Sequence, residues 1–224
     1  MPPPLPDELV EEVLLRFPPE NPAGLVRAAL VCRRWRCLVT DDPGFRRRFR
    51  EFHRSPPMLG MLCNRADVDV ARFVPTPASC SPEADRGHCR ALDARHGRVL
   101  LHGKGNVLVV WDPITDEERM LPFPLQYSAL SSWTAAVLCA AAGAGACACD
   151  HLDCHCRPFV VVLVGSVFHV PDAGHTFICA YASKSATWTE PIYTEQPGYL
   201  VVSMGSALVG KALYLGLVRL SYSK

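Results

Sequence analysis

Residues 5–45 read LPDELVEEVLLRFPPENPAGLVRAALVCRRWRCLVTDDPGF, and their apolar spacing sets the character of the chain's first part. Leu9, Val10, Val13, Leu14 and Phe17 recur at helical intervals, while Glu8, Glu11, Glu12 and Arg16 fall mostly elsewhere around the wheel. Pro6 and Asp7 suit the opening of this helix, the early acids favour its positive end, and Pro18-Pro19 stops it. A second helical run follows Pro22-Ala23-Gly24 and carries Leu25, Val26, Ala29 and Leu30. Cys32, Trp35, Leu38 and Val39 supply a third apolar stripe, broken by Asp41-Asp42-Pro43-Gly44. Phe45, Phe49 and Phe52 then line one side of a last, basic helix. So short a bundle has little core of its own and gains stability by burying its remaining apolar face on a partner.

Beyond this stretch, a length of 224 residues leaves room for one ordinary domain besides the helical piece. With 49% hydrophobic and 20% charged residues, the composition is that of a globular rather than a disordered chain. A net charge of +1 provides no global pull toward nucleic acid or acidic membranes. Residues 1–54 hold ten arginines against eight acids, the acids crowding the front and the arginines the back. The start, Met-Pro-Pro-Pro before Asp7 and Glu8, lacks the basic end and apolar run of a secretory signal. An odd count of eleven cysteines without such a signal favours reduced thiols, in cytosol or nucleus. Residues 120–149 carry no charge, but Pro122, Pro124 and several serines interrupt the first half, and Ala and Gly dominate the second. No membrane span is expected there.

Leu5-Pro6-Asp7-Glu8-Leu9, Val13-Leu14, Phe17-Pro18 and Val31-Cys32-Arg33-Arg34-Trp35, followed by Asp42-Pro43 and Phe45, resemble an F-box. That family folds as a small helical bundle, binds a Skp-type adaptor, and thereby joins a cullin-based ubiquitin ligase. The resemblance implies adaptor docking through Leu5, Pro6, Leu9, Val13, Leu14, Val31, Cys32 and Trp35. The plainer alternative is that several of these fill the bundle core, Leu14 and Val31 foremost. Arg33-Arg34-Trp35-Arg36 and Arg46-Arg47-Arg48-Phe49-Arg50 also raise phosphate binding with aromatic stacking. Given the near-neutral chain, a solvated or protein-facing basic surface is the simpler reading.

Pro75, Pro77 and Pro82 mark a linker, and residues 55–88 are assigned to it, between a helical domain at 1–54 and a β domain at 89–224. Strand-like runs recur at Val99–Leu101, Asn106–Trp111, Phe159–Val164, Thr176–Tyr181, Leu200–Val202 and Ala212–Leu217. Val107–Trp111, Asp112–Thr115 and Glu117–Leu121 read as a hairpin, and Phe177–Tyr181 with Thr187–Glu190 as its weaker echo. Repeated hairpins suggest propeller blades. Residues 93–101 (DARHGRVLL), 109–115 (VVWDPIT), Leu121-Pro122 and 206–210 (SALVG) are similar to the domain that follows the F-box in many plant proteins, especially of grasses. In that family the domain is propeller-like and recruits the protein destined for ubiquitination. Blades of about 40–50 residues allow at most about three after the linker, whereas a closed propeller needs about four. The expectation is therefore an α+β multidomain chain, a small helical F-box bundle followed by an all-β, propeller-like domain that is truncated or open.

The most metal-like passage is Cys147-Ala148-Cys149-Asp150-His151-Leu152-Asp153-Cys154-His155-Cys156. Thiolates and imidazoles are the ligands zinc prefers. Both Cys pairs are spaced C-x-C, however, and no distant second pair completes a knuckle, so a free-thiol loop joining two strands explains Cys147, Cys149, His151, Cys154, His155 and Cys156 without metal. The related plant domains carry a similar acidic, histidine-bearing loop. Gly103-Lys104-Gly105-Asn106 is too short for a phosphate loop, and Gly165-Ser166 and Gly205-Ser206 lack a nucleophile-elbow frame. His88, His96, His102, His169 and His175 are scattered on or beside expected strands. The reading is a noncatalytic substrate receptor without cofactor, in cytoplasm or nucleus, its partners a Skp-type adaptor, through it a cullin, and an unknown target. Two alternatives stand beside it: an adaptor-binding scaffold or antagonist that recruits nothing, and an arginine-rich nucleic-acid-binding module.

Overall fold

The structure, a computed structural model, describes residues 5–54, 58–65, 70–76, 84–124, 132–140, 149, 151, 154, 157–167, 175–194, 199–201, 205–209 and 212–219. The chain divides into two compact units, Met1–Met61 with Val74–Pro82, and Leu62–Phe73 with Glu83–Lys224.

The first unit holds four short helices, α1 (Asp7–Leu15), α2 (Pro22–Ala29), α3 (Arg33–Thr40) and α4 (Pro43–His53). Their starts follow local chemistry. Pro22 and Pro43 occupy first-turn positions, where the missing N–H costs nothing. Asp42 caps α4 by accepting from the Gly44 N–H at 2.8 Å, and Arg54, in the left-handed region at φ 57°, ends it. Val10, Leu14, Leu15, Ala28 and Phe45 form the buried core, with Phe17, Leu25, Trp35, Leu38, Val39 and Phe49 packed against it. Gly24 is required: a Cβ there would stand 2.6 Å from the Phe17 ring. The aromatic row expected on α4 holds for Phe45 and Phe49, but Phe52 is 54% exposed. Turning 100° per residue, the helix returns to one line at 45, 49 and 53 instead, and the His53 ring lies 4.4 Å from that of Phe49.

The segment 55–88 expected as a linker carries three strands among its described residues: β1 (Gly60–Asn64), β2 (Val70–Pro75) and β3 (Ala84–Gly87) form a three-stranded sheet. Its prolines drew the linker reading, yet Ala71 and Phe73 alternate inward with Arg72 and Val74 between them, the period of a half-buried strand. Pro75 sits at the end of β2, where no ladder donor is lost.

Two sheets dominate the second unit. β4 (Cys89–Arg95), β5 (Arg98–Gly103), β6 (Val107–Trp111) and β7 (Glu118–Leu121) make one antiparallel meander. In the other, β8 (Ser132–Cys139), β9 (Phe159–Val167) and β10 (His175–Ala182) run antiparallel, and β11 (Thr187–Trp188) and β12 (Ile192–Thr194) share the far edge of β10. The edge is split where Pro191 cannot donate. His96-Gly97, both at positive φ, close the two-residue turn between β4 and β5. Smaller pairs join β13 (Tyr199–Val201) with β16 (Leu217–Arg219) and β14 (Ala207–Val209) with β15 (Ala212–Tyr214).

Alternate residues of the two large sheets share one core: Leu100, Leu108, Val110 and Leu121 from the first, and Ala135, Val137, Phe159, Val161, Leu163, Phe177, Cys179 and Tyr181 from the second. Polar ties fix their register. The register shift at Ala91/Asp93 in β4 accompanies the Asp93 carboxylate's bond to the Val137 N–H at 2.9 Å, on β8, with Arg95 Nε 3.1 Å from its other oxygen. Burial pushes this carboxyl above its ordinary value, against the opposing pull of the Val137 N–H and of Arg95. Arg95 also donates to the carbonyl and hydroxyl of Ser206, more than a hundred positions later in the chain. The Trp188 indole N–H donates to the Pro122 carbonyl at 2.6 Å.

Both expected hairpins are present, as β6–β7 and β10–β11. No closed barrel or propeller is found among the described residues, whose strands form separate open sheets. No helix among them is long and apolar enough to cross a membrane. The uncharged stretch from Met120 instead supplies β8, buried along most of its length.

Candidate functional site

On α1 two apolar stripes lie side by side. Val10 and Leu14, four residues apart, point into the core, while Leu9 and Val13, also four apart, are 53% and 55% exposed, and Leu5 extends their line one turn earlier. α2 repeats the pattern: Ala28 is buried, Val26 is exposed, and Leu30 at the helix end is 77% exposed. Val31 and Cys32, between α2 and α3, face solvent as well. Arg34 bonds Asp7 and, at 3.2 Å, the Leu5 carbonyl, which draws the α2–α3 turn to the start of α1.

Of the eight residues expected to dock a partner, Leu5, Pro6, Leu9, Val13, Val31 and Cys32 are therefore exposed. Leu14, 1% exposed, belongs to the core instead, because its place on the wheel faces Phe45 and Ala28 rather than solvent. Trp35 is half-buried against that core. Val26 and Leu30, read from the sequence as part of the second helical run, were not among the expected docking residues, although their spacing of four mirrors that of Leu9 and Val13. Among the described residues, six such exposed aliphatics lie in a unit whose core cluster has five buried side chains, an unusual ratio for a surface left to water.

The arginine clusters are partly engaged within the unit. Arg48 pairs with Glu11 and lies 3.7 Å from Asp42, and Arg34 is held by Asp7 as above. His53 Nε2 is 2.8 Å from the Leu15 carbonyl, tying α4 to the end of α1. These contacts fix helix positions rather than present an unbroken cationic face.

In the second unit Cys139, Cys149, His151 and Cys154 converge, their ligand atoms all within 4.8 Å of one another. Cys139 ends β8, and the other three precede β9. Cys149 Sγ is 3.2 Å from Cys154 Sγ, which is 3.4 Å from His151 Nδ1. Cys139 and Cys154 are buried; Cys149 and His151 are half-buried. Burial pushes the Cys154 thiol up, and hydrogen bonds with Cys149 and Cys139 add to that. Cys149 moves down: a desolvation penalty is outweighed by bonds from Cys154, the His151 backbone and Cys139, with Arg157 nearby. His96 Nδ1 stands 3.0 Å from His151 Nδ1, and burial, then the neighbouring His151, Arg98 and Arg95, holds His96 down at about 4. Arg98, itself buried, donates to the carbonyls of Cys154 and Arg157 and so pins this connection. Cys147, His155 and Cys156 lie outside the described residues. The sequence argument against a metal was the C-x-C spacing and the lack of a distant second pair; the structure brings one further cysteine, Cys139, ten positions before Cys149, to the cluster.

A cleft of about 620 Å³ opens beside β6 and β7, lined by Arg98, Asp112, Glu118, Arg119, Phe159 and Lys184 among others. Asp112 is spent on the turn, accepting from the Ile114 N–H at 2.8 Å, and Arg119 donates to the Ser183 carbonyl at 2.9 Å. The buried Ser166 hydroxyl faces Thr176 at 3.3 Å, and His102 stacks edge-on against Trp133 at 4.8 Å. Gly105 and Asn106, both at positive φ, form the β5–β6 turn.

Comparison with curated proteins gives no match for this chain. A family model matches at one place, about a fifth of the length. Domains of that family bind Skp-type adaptors within ubiquitin-ligase complexes. The matched span, residues 4–47, covers α1, α2, α3 and the start of α4, and the model it fits is that of the F-box domain.

Proposed function

We propose that this chain is a noncatalytic substrate receptor of a ubiquitin ligase, working in cytoplasm or nucleus. Its helical unit docks on a Skp-type adaptor, and through it on a cullin, while the β unit presents a target protein. The observation that carries the reading is the doubled stripe of α1: one row of aliphatics completes the bundle, and the neighbouring row, Leu5, Leu9 and Val13, is left in water. Each such side chain is already about half covered, so burying the rest yields roughly half of the about 1.5–3 kcal/mol of full burial. Several together, with Val26, Leu30 and Val31, offset an association cost of about 4–15 kcal/mol. Docking then acts by proximity, since a target held on the same scaffold as an activated ubiquitin meets it at raised effective concentration.

The propeller-like character of the second unit, its plant-type ancestry and its role in target recruitment belong to this proposal. Two consecutive antiparallel meanders sharing one core support it, as does the meeting of Arg95 with Ser206. The binding-only scaffold differs in a single respect: nothing is held by the β unit. The nucleic-acid reading is weakened by Arg34 and Arg48, whose charges are met by Asp7 and Glu11.

Co-purification of the full chain with a Skp-type adaptor, at moderate and high salt, tests the proposal. Apolar docking persists at high salt and is lost in Leu9→Asp; phosphate binding fades steeply with salt. Failure to retain adaptor at either salt sinks the receptor and scaffold readings together. Proteomics of the material retained by both the wild type and Leu9→Asp then separates the two, because the β unit of a receptor keeps its target when the adaptor is lost, whereas a scaffold holds no further protein.

A further inference from the structure

We propose that Cys139, Cys149, His151 and Cys154 form a structural zinc site that fastens the β8–β9 connection to the core. The donor set is the first argument. Three thiols and one imidazole are a ligand combination typical of closed, four-coordinate zinc, in which every position is filled by protein. Geometry is the second. Bonds of about 2.3 Å to sulfur and about 2.0–2.1 Å to nitrogen place tetrahedral donors roughly 3.5–3.8 Å apart. The observed separations of 3.2 Å and 3.4 Å, with all four atoms inside 4.8 Å, bracket that spacing. Side-chain adjustments of tenths of an ångström up to about one ångström close the cage.

Placement supplies the third argument. Cys139 is anchored by the β8–β9 ladder, where it pairs with Phe159, so one ligand is rigid before metal arrives. The backbone around Cys154 is held by Arg98 through its own carbonyl and that of Arg157. Three thiolates around a divalent ion leave one net negative charge, and the buried Arg98 guanidinium beside them offsets it. Four protein donors fill a tetrahedral shell and two of them, Cys139 and Cys154, are buried, which suits a structural rather than a hydrolytic ion. A disulfide between Cys149 and Cys154 would use two of the donors but leave Cys139 and His151 gathered around nothing. Zinc uses all four. Binding takes the Nδ1 lone pair of His151, so the present contact with His96 is exchanged for the metal.

The test uses the full chain, purified with reductant and without chelator, then assayed for metal and reconstituted with Co(II). The expected result is about one zinc per chain and an intense tetrahedral cobalt spectrum with thiolate charge transfer. Cys139→Ser and Cys154→Ser lower metal affinity more than about 100-fold, beyond what outer-shell changes cause, while Cys179→Ser and Cys63→Ser, outside the cluster, leave it unchanged. Should the ligand variants fail to fold, alkylation of the unmutated chain decides. Cys139, Cys149 and Cys154 then resist modification until a chelator is added. A chain without stoichiometric metal, an octahedral cobalt spectrum, metal retained in Cys139→Ser/Cys154→Ser, or a Cys149–Cys154 disulfide in the reduced preparation overturns the proposal.

Discussion

The helical and β units treat their apolar side chains in opposite ways. Among the described residues, the β unit collects twelve buried side chains into one cluster, supplied by strands of two sheets. The helical unit buries five and leaves rows of comparable aliphatics in water along α1 and α2. The first has the core of a self-sufficient domain; the second is short of core and long on exposed apolar surface. In the helices the residues that hold the bundle alternate with exposed aliphatics.

The largest effect expected on this contrast is that of Phe177→Ala, at a fully buried position of the β core. It should cost about 3–5 kcal/mol and move one calorimetric transition while the other stays. If both transitions shift together, the units are not independent and the contrast fails. Leu14→Ala should cost the helical unit about 2–5 kcal/mol, read as loss of the other transition. Leu9→Asp sharpens the same point from outside: helical stability changes by less than about 0.5 kcal/mol, whereas adaptor affinity falls by about 30-fold or more, or about 2 kcal/mol. Arg48→Gln removes a partly exposed pair with Glu11 and should cost no more than about 1 kcal/mol, diminishing in high salt.

The smallest effect is a slope. Because burial raises Asp93 above the unfolded carboxylate value, the folded chain holds this proton more tightly. Its contribution is greatest below the ordinary carboxylate range and is lost as pH rises through the raised folded value. Asp93→Asn keeps an acceptor for the Val137 N–H and removes that loss. Subtracting its stability–pH curve from that of the parent should leave a difference confined to this window, and a flat difference contradicts the account.

Much of the helical unit was legible because proline and apolar period act locally: Pro22 and Pro43 open helices, and Pro18-Pro19 closes one. The inward or outward fate of Leu14 and Leu9 was not legible. Both rows recur every four residues, and only the placement of Phe45 and Ala28 makes one of them core. β8 was hidden for a different reason. Ala135 and Ala136 have weak strand preference, and their place in the sheet is set by the long ladder with β9. Leu92 and its neighbours in β4 gave no clear alternation because the strand is irregular at Asp93. Cys139 could not be joined to Cys149 by motif spacing, since the chain between them is a connection whose length carries no ligand signature. Its convergence is a product of β8 and β9 pairing.

Hydrogen exchange of the full chain, with and without a Skp-type adaptor, tests the central claim most directly. If another polypeptide finishes the helical bundle, amides of Asp7–Leu15 and Pro22–Ala29 slow strongly on adding adaptor, while those of β5, β6, β9 and β10 do not change. Unaltered exchange across α1 and α2 at saturating adaptor, or protection appearing only in the β strands, contradicts it.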